Sequence, residues 1–280
     1  MNTQGPEEAR SMIISGQVWR CAAASLQGSS HKKTAKPCQD FSCIRRPSDA
    51  VVVIAVADGA GSAAFAEDGA AIAARTAART LCSLLKEAGF ANEAAPGALR
   101  SAVEAARRSV ETEASSRKIK SRELASTLLL ILASPKFVAL AQIGDGAVVL
   151  RDRTGRLICL TEAEPSEYIN ETSFLVSPDA LNQMQVSLWE GEVAQLAVLS
   201  DGLQLLCLKM PERTPHERFF IPVFDFAEHM ADEKRDRDEL LNFLNSGRVK
   251  EHTDDDITLV LAAFNENRRC KSDLDQPDRV

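Results

Sequence analysis

Apolar runs of strand length alternate along this chain with longer stretches of helical spacing. "QVWRCAAASL" (17–26) and "CQDFSCIR" (38–45) read as strands, joined by the polar loop "GSSHKKTAKP". Residues 50–57, "AVVVIAVA", are β-branched and continuous, which predicts a strand buried on both faces. Between 67 and 88 the period changes: Ala70, Ala74, Ala77, Leu81, Leu84 and Leu85 share one stripe, with Arg75, Arg79 and Lys86 opposite. That is an amphipathic helix, and a second fits 96–117. Four apolar runs follow, "STLLLILAS", "KFVALAQIG", "AVVLRDRTG" and "RLICLT", and the turn residues between them predict an antiparallel meander. The segment 161–185, rich in Glu, Pro, Ser and Asn, is expected to cross the surface as a long loop, a kind that is often functional. "VAQLAVLS" is a further strand, helical patterns fill 202–210 and 235–246, and "ITLVLAAF" closes the series. Strands and helices come in blocks, unlike the regular alternation of a parallel βαβ sheet. One α+β domain over 16–264 is expected, with mostly antiparallel sheets, an N-terminal extension (1–15) and a disordered C-terminal tail (265–280).

Composition narrows the class. With 280 residues, 45% hydrophobic and 26% charged, the chain can bury a large core. A net charge of -7 argues against nucleic acid as a partner, which calls for a basic face. No apolar run approaches the roughly 18 residues of a membrane span, and the acids in "MNTQGPEEARSMIISG" do not suit a signal peptide. A cytoplasmic protein with no membrane partner is expected. The seven cysteines are odd in number, form no CxxC and sit partly inside apolar runs, so they read as reduced and structural.

The chemistry lies at the ends of the strands. "VVVIAVADGAGS" runs into Asp58-Gly59, "FVALAQIGDGA" into Asp145-Gly146 and "QLAVLSDGL" into Asp201-Gly202, while "HTDDDITLVLAA" sets three aspartates directly before a strand. Each Asp-Gly taken alone is a turn signal, and Asp145-Gly146 falls where a hairpin is expected. Taken together, carboxylates on strand ends that meet in one sheet system repel unless divalent cations occupy the point between them. Oxygen ligands without neighbouring His or Cys favour Mg²⁺ or Mn²⁺ over zinc. The triplet lacks the D-x-D-x-D-G pattern of an EF-hand.

The set "CQDFS", "VADGAGS", "IGDGA", "LSDGL" and "TDDDITLVL", in this order, resembles the metal-dependent serine/threonine protein phosphatases of type 2C. "GSSHKKTAKPCQD" and "SEYINETSF" are similar to a bacterial branch of that family. The resemblance covers residues 16 to 264. It implies a four-layer αββα sandwich, two central and mainly antiparallel sheets with helices outside and two Mn²⁺ or Mg²⁺ ions, with room for a third, at one end. By the same resemblance Asp58 bridges the two metals and the Gly59 carbonyl binds one of them. Asp201 and Asp255 bind the other, Asp40 contacts metal-bound water, and Asp145 goes with the third. Asp256 then supports and Asp254 lies in the turn. The implied reaction is in-line attack of a metal-bridging hydroxide on a phosphomonoester, without a covalent intermediate, on a phosphorylated protein made by a cognate kinase.

The chain departs from the family in two places. Many members carry an arginine before the "QD" acid to grip phosphate; here residues 34–38 are "TAKPC", which leaves His31, Lys32, Lys33 or Lys36 for phosphate binding. Some carry a histidine after the first Asp-Gly that protonates the leaving group; here Ala60 stands there, and His31 or a metal-bound water has to serve. Two rival readings therefore stay open, a non-catalytic phosphoprotein-binding module and a two-metal phosphatase of small molecules. Trp19 and Trp189 read as core anchors, and His216, His229 and His252 as bystanders. The loop with "EYINETSF" is either a cleft cover or a structural flap.

Overall fold

The computed structural model describes residues 17–88, 92–162 and 173–266. The expected N-terminal extension, all but two residues of the expected tail and most of the "EYINETSF" loop lie outside them. Two five-stranded antiparallel sheets face each other. The first holds β2 (Phe41–Ser48), β3 (Val51–Ala57), β4 (Leu128–Ala133), β5 (Phe137–Ile143) and β8 (Gln185–Glu190), neighbours in that order. The second runs β1 (Gln17–Leu26), β12 (Ile257–Glu266), β9 (Val193–Leu199), β6 (Ala147–Asp152) and β7 (Leu157–Cys159). A short ribbon, β10 (Leu208–Lys209) with β11 (Thr214–Pro215), stands apart.

Alternation along the strands builds the layers. All seven residues of β3 are buried. Val51, Val53, Ala55 and Ala57 face one side, while Val52, Ile54 and Val56 face the other. The first set meets α2 (Ala66–Ala88) and α3 (Ala95–Arg117). Of the expected α2 stripe, Ala70, Ala74, Ala77, Leu81 and Leu85 are buried and Leu84 is half-buried, while Arg75, Arg79 and Lys86 are exposed. Its alanines let the two helices lie close together against the sheet. The second set of β3 enters the layer between the sheets, against Val148, Leu150, Leu196, Val198 and Val260. Each such side chain contributes roughly 1.5–3 kcal/mol. Trp19, fully buried in this layer, donates from Nε1 to the Ala50 carbonyl at 3.1 Å and so joins the two sheets. The outer face of the second sheet is covered by α6 (Glu217–His229) and α7 (Glu233–Leu244). This is the αββα sandwich. Shorter helices complete it: α1 (Ser29–Lys33), α4 (Ala180–Gln183), α5 (Gln204–Cys207) and α8 (Gly247–Lys250).

Several local expectations change. The predicted meander is two hairpins in different sheets, because β4 and β5 pair in the first while β6 and β7 pair in the second. The Gly144–Gly146 segment is the crossing between them and not a hairpin, and Gly144 takes φ +95 there. The loop after β1 contains α1, and β2 starts at Phe41, which leaves Cys38–Asp40 ahead of the strand. Helix α6 and edge strand β8 carry no expectation from the sequence. The 202–210 pattern resolves into a 3₁₀ turn (Asp201–Leu203), α5 and β10. Trp189 is only partly buried.

Candidate metal centre

Strand register explains why distant aspartates meet. In antiparallel pairs the end of one strand lies beside the start of its partner. Phe41 pairs with Ala57, so Asp40 and Asp58 are at the same end. Leu128 pairs with Ile143, Ala147 and Leu259 both pair with Leu199, and Leu26 pairs with Ile257. Asp145, Asp201 and the aspartate triplet therefore share that end, one contribution from each strand pair.

There they surround an open cleft of about 410 Å³, lined by Asp58, Gly59, Thr127, Asp145, Asp201, Asp254 and Asp255. Ser30, His31, Thr34, Lys36, Gly61 and Phe174 complete its wall. Asp58 is pinned through its backbone: its N–H donates to Thr127 Oγ1 at 2.9 Å, and its carbonyl accepts from Thr127 N at 2.8 Å. Asp145 is carried on a segment gripped by its carbonyls. Gln142 Nε2 donates to Gly144 O (2.7 Å) and Gly146 O (3.0 Å), Arg213 Nη2 donates to Gly146 O (3.0 Å), and Gln204 Nε2 donates to Asp145 O. Asp40 does not line the cleft. It lines a second cavity together with Cys21, Cys38, Phe41 and Arg46. Ser200 Oγ donates to Asp40 Oδ2 at 2.7 Å and accepts from Thr258 N at 2.9 Å, so the acid is locked to the paired strands β9 and β12.

The triplet divides its work three ways. The Asp254 carbonyl accepts from Ser30 N (2.9 Å) and Ser30 Oγ (2.7 Å), which docks α1 on the turn. Asp255 faces the cleft and accepts from Asp256 N at 2.8 Å. Asp256, 2% exposed, points inward and accepts from Gly28 N (2.7 Å), Gln39 N (2.5 Å) and His31 Nδ1 (2.8 Å). Gly28 is required here, since a Cβ on it would run into the backbone of Asp254 and Asp255.

The electrostatics are those of a cluster short of positive charge. Burial pushes the Asp58 carboxyl far above the usual carboxylate range, and Asp40 and Asp201 push it the same way. Burial also raises Asp40, against the lowering hydrogen bonds of Ser200 and Thr258 and with the charges of Asp256 and Asp201. Asp255, at the exposed rim, is raised by its partial desolvation first. Asp40 Oδ1 and Asp201 Oδ1 are buried without a hydrogen-bond partner. Orphaned acceptors and carboxylates crowded at one end suit hard divalent cations, so the residues present fit Mn²⁺ or Mg²⁺. Among the described residues no three acidic, imidazole or thiol groups stand together tightly enough to hold one ion alone. Each ion's shell would then need carbonyl and water ligands beside one or two carboxylates.

Of the four phosphate-binding candidates, His31 and Lys36 line the cleft. The Lys36 ammonium donates to Gly61 O at 2.6 Å. Lys32 and Lys33 are exposed outside the lining. Sequence reading missed Ser200 and Thr127 as supports, although "LSDG" places Ser200 directly beside Asp201.

The sequence profile of the protein phosphatase 2C family matches residues 27–245. Serine/threonine-protein phosphatase 3 of Escherichia coli (strain K12) is 33% identical over 256 residues, covering 89% of this chain and 99% of that protein. Among solved structures, PppA, a regulatory component of T6SS in Pseudomonas aeruginosa, is 19% identical, with a TM-score of 0.58 over 89% of this chain and 99% of that one. The catalytic domain of the serine/threonine protein phosphatase PstP, solved with two manganese ions, is 16% identical, with a TM-score of 0.54 over 89% of this chain and all of that one. These two structures share the fold.

Proposed function

The chain belongs to the protein phosphatase 2C family, and from that premise we propose that it is a metal-dependent phosphatase of phosphoserine and phosphothreonine in proteins. The observation that carries this reading is the convergence of Asp58, Asp145, Asp201 and Asp255 on one cleft, where burial and the neighbouring carboxylates raise the Asp58 carboxyl. The manganese ions of PstP support Mn²⁺ as the ion, with Mg²⁺ as the alternative. When bound, such ions acidify water and neutralise phosphate charge. Asp58 and the Gly59 carbonyl would hold one, Asp201 and Asp255 the other, and Asp145 a third.

The chain's own residues do the rest. Asp40, fixed by Ser200, would offer its unpartnered Oδ1 to a water bound between it and the metals. Thr127 holds Asp58 in place. Lys36, already in the cleft wall, offers a point charge to the phosphate where other members use arginine. Attack on phosphorus is in line and leaves no covalent intermediate on the protein. The six described cysteines are unpaired, which supports a reducing, cytoplasmic setting. Among the described residues no helix is long and apolar enough to cross a membrane. A cognate serine/threonine kinase would supply the substrate.

Hydrolysis of a phosphothreonine peptide, p-nitrophenyl phosphate, a nucleotide and a sugar phosphate, with Mn²⁺, Mg²⁺ or EDTA, tests the reading. Metal-dependent turnover with the peptide preferred supports it. Preference for a small phosphate ester would make the protein a small-molecule phosphatase. Mn²⁺ binding without turnover of any substrate would make it a binding module.

A further inference from the structure

We infer that His31, oriented by Asp256, is the general acid that protonates the departing serine or threonine oxygen; this rests on the phosphatase reading above. The Asp256 carboxylate is buried and receives three donors, Gly28 N, Gln39 N and His31 Nδ1. A carboxylate so surrounded accepts only, so the proton on the His31 ring sits at Nδ1 or at both nitrogens. The ring is fixed by that bond at 2.8 Å, and its side chain is 12% exposed. Residue 31 also forms part of the cleft wall with Asp58, Asp201 and Asp255. Ser30 binds the Asp254 carbonyl twice, which ties α1 to the Asp254–Asp256 turn. The imidazole is thereby held in register with the carboxylates that face the cleft.

The other cleft residues leave the role to it. Ala60 and Gly61, which follow the first Asp-Gly, carry no donor side chain. Ser30, Thr34 and Thr127 do not titrate near neutrality, and the Lys36 ammonium is engaged with Gly61 O. Among the described lining residues His31 carries the one imidazole, a group that can donate a ring proton to an oxygen in the cleft. In the step, water forms a new P–O bond and gives one proton to solvent as the bond from phosphorus to the seryl oxygen breaks. The electron pair goes to that oxygen, which takes the proton from His31 Nε2, and solvent later returns a proton to the neutral ring. Asp256 is a positioning residue, since it acts through the ring.

The discriminating variant is His31→Asn, whose amide nitrogen can replace Nδ1 in the bond to Asp256 while nothing replaces Nε2. Rates with Mn²⁺ are compared on a phosphoserine peptide and on p-nitrophenyl phosphate, whose leaving group departs without a proton. We expect a fall of about 100-fold on the peptide and a fall at least tenfold smaller on the nitrophenyl ester. His31→Gly with added imidazole should recover peptide turnover selectively. Equal losses on the two substrates, or no loss on the peptide, would overturn the assignment and leave His31 a phosphate contact or a structural residue. If wild type turns over neither substrate with Mn²⁺, the phosphatase reading itself fails, and that outcome is distinct from either of the others.

Discussion

Replacing Asp201 by asparagine keeps the side chain's shape and takes one charge out of the carboxylate cluster. At pH 7.5 the metal-free protein keeps the Asp58 carboxyl neutral, because its pKa in the fold lies above that pH. With an ordinary value of 3.8 the group would be ionised, so holding its proton costs about 5 kcal/mol, from about 3.7 units at 1.36 kcal/mol each. Burial accounts for the largest part and stays in the variant. With Asp58 already neutral, the charge of Asp201 bears on Asp40 and Asp255, both of which it raises, so its neutralisation is expected to return about 1 kcal/mol. For a chain of this size that is a rise of about 2–4 °C in Tm without metal. The sign with pH follows from the raised pKa. The contribution of Asp58 is complete below about pH 4 and is lost as pH rises toward its value in the fold. The advantage of Asp201→Asn should widen from pH 5 to pH 8, as Asp40, raised to about 7, loses its proton beside residue 201. Mn²⁺ at about 100 times its Kd should stabilise wild type by about 2.7 kcal/mol, and the variant should lose most of that gain. Scanning fluorimetry in EDTA and in Mn²⁺, at both pH values, reads all of this. A variant that melts below wild type in EDTA at pH 7.5, yet keeps the full Mn²⁺ shift, would refute the reasoning.

Two further substitutions probe the supports. Ser200→Ala removes the donor to Asp40 and the acceptor for Thr258 N; chemical denaturation should show a loss of about 1–3 kcal/mol, with peptide turnover falling while Mn²⁺ affinity holds. Gly28→Ala forces a Cβ into the backbone of Asp254 and Asp255, so peptide turnover and the Mn²⁺-induced rise in Tm should fall together.

The core was legible because burial there follows period. The continuous run of β3 and the stripe of α2 needed only hydrophobic spacing, and the strand-end aspartates stood out as charge beside apolar segments. The crossing from β5 to β6 was not legible, since Gly144-Asp145-Gly146 carries the same residues as a hairpin turn while its partners lie in different sheets. Helix α6 had a signal in the spacing of Phe219, Phe220, Val223, Phe224 and Ala227. Its aromatic content and the internal Pro222 speak against a helix by propensity, and packing on the second sheet overrides them. Edge strand β8 leaves Ser187, Leu188 and Glu190 exposed, so it lacks a clean alternation. The five residues of α1 bury none of their number, and the bond from His31 to Asp256 spans 225 positions. No local pattern records such a pair. The motifs brought the carboxylates into view; only the fold shows which of them face the cleft and which do not.

The central claim is that these carboxylates hold divalent metal, and anomalous diffraction at the manganese edge from crystals soaked in Mn²⁺ tests it most directly. The account predicts two strong peaks in the cleft, one against Asp58 and the Gly59 carbonyl and one against Asp201 and Asp255. A cleft without anomalous density at saturating Mn²⁺, or peaks bound only elsewhere on the surface, would contradict it.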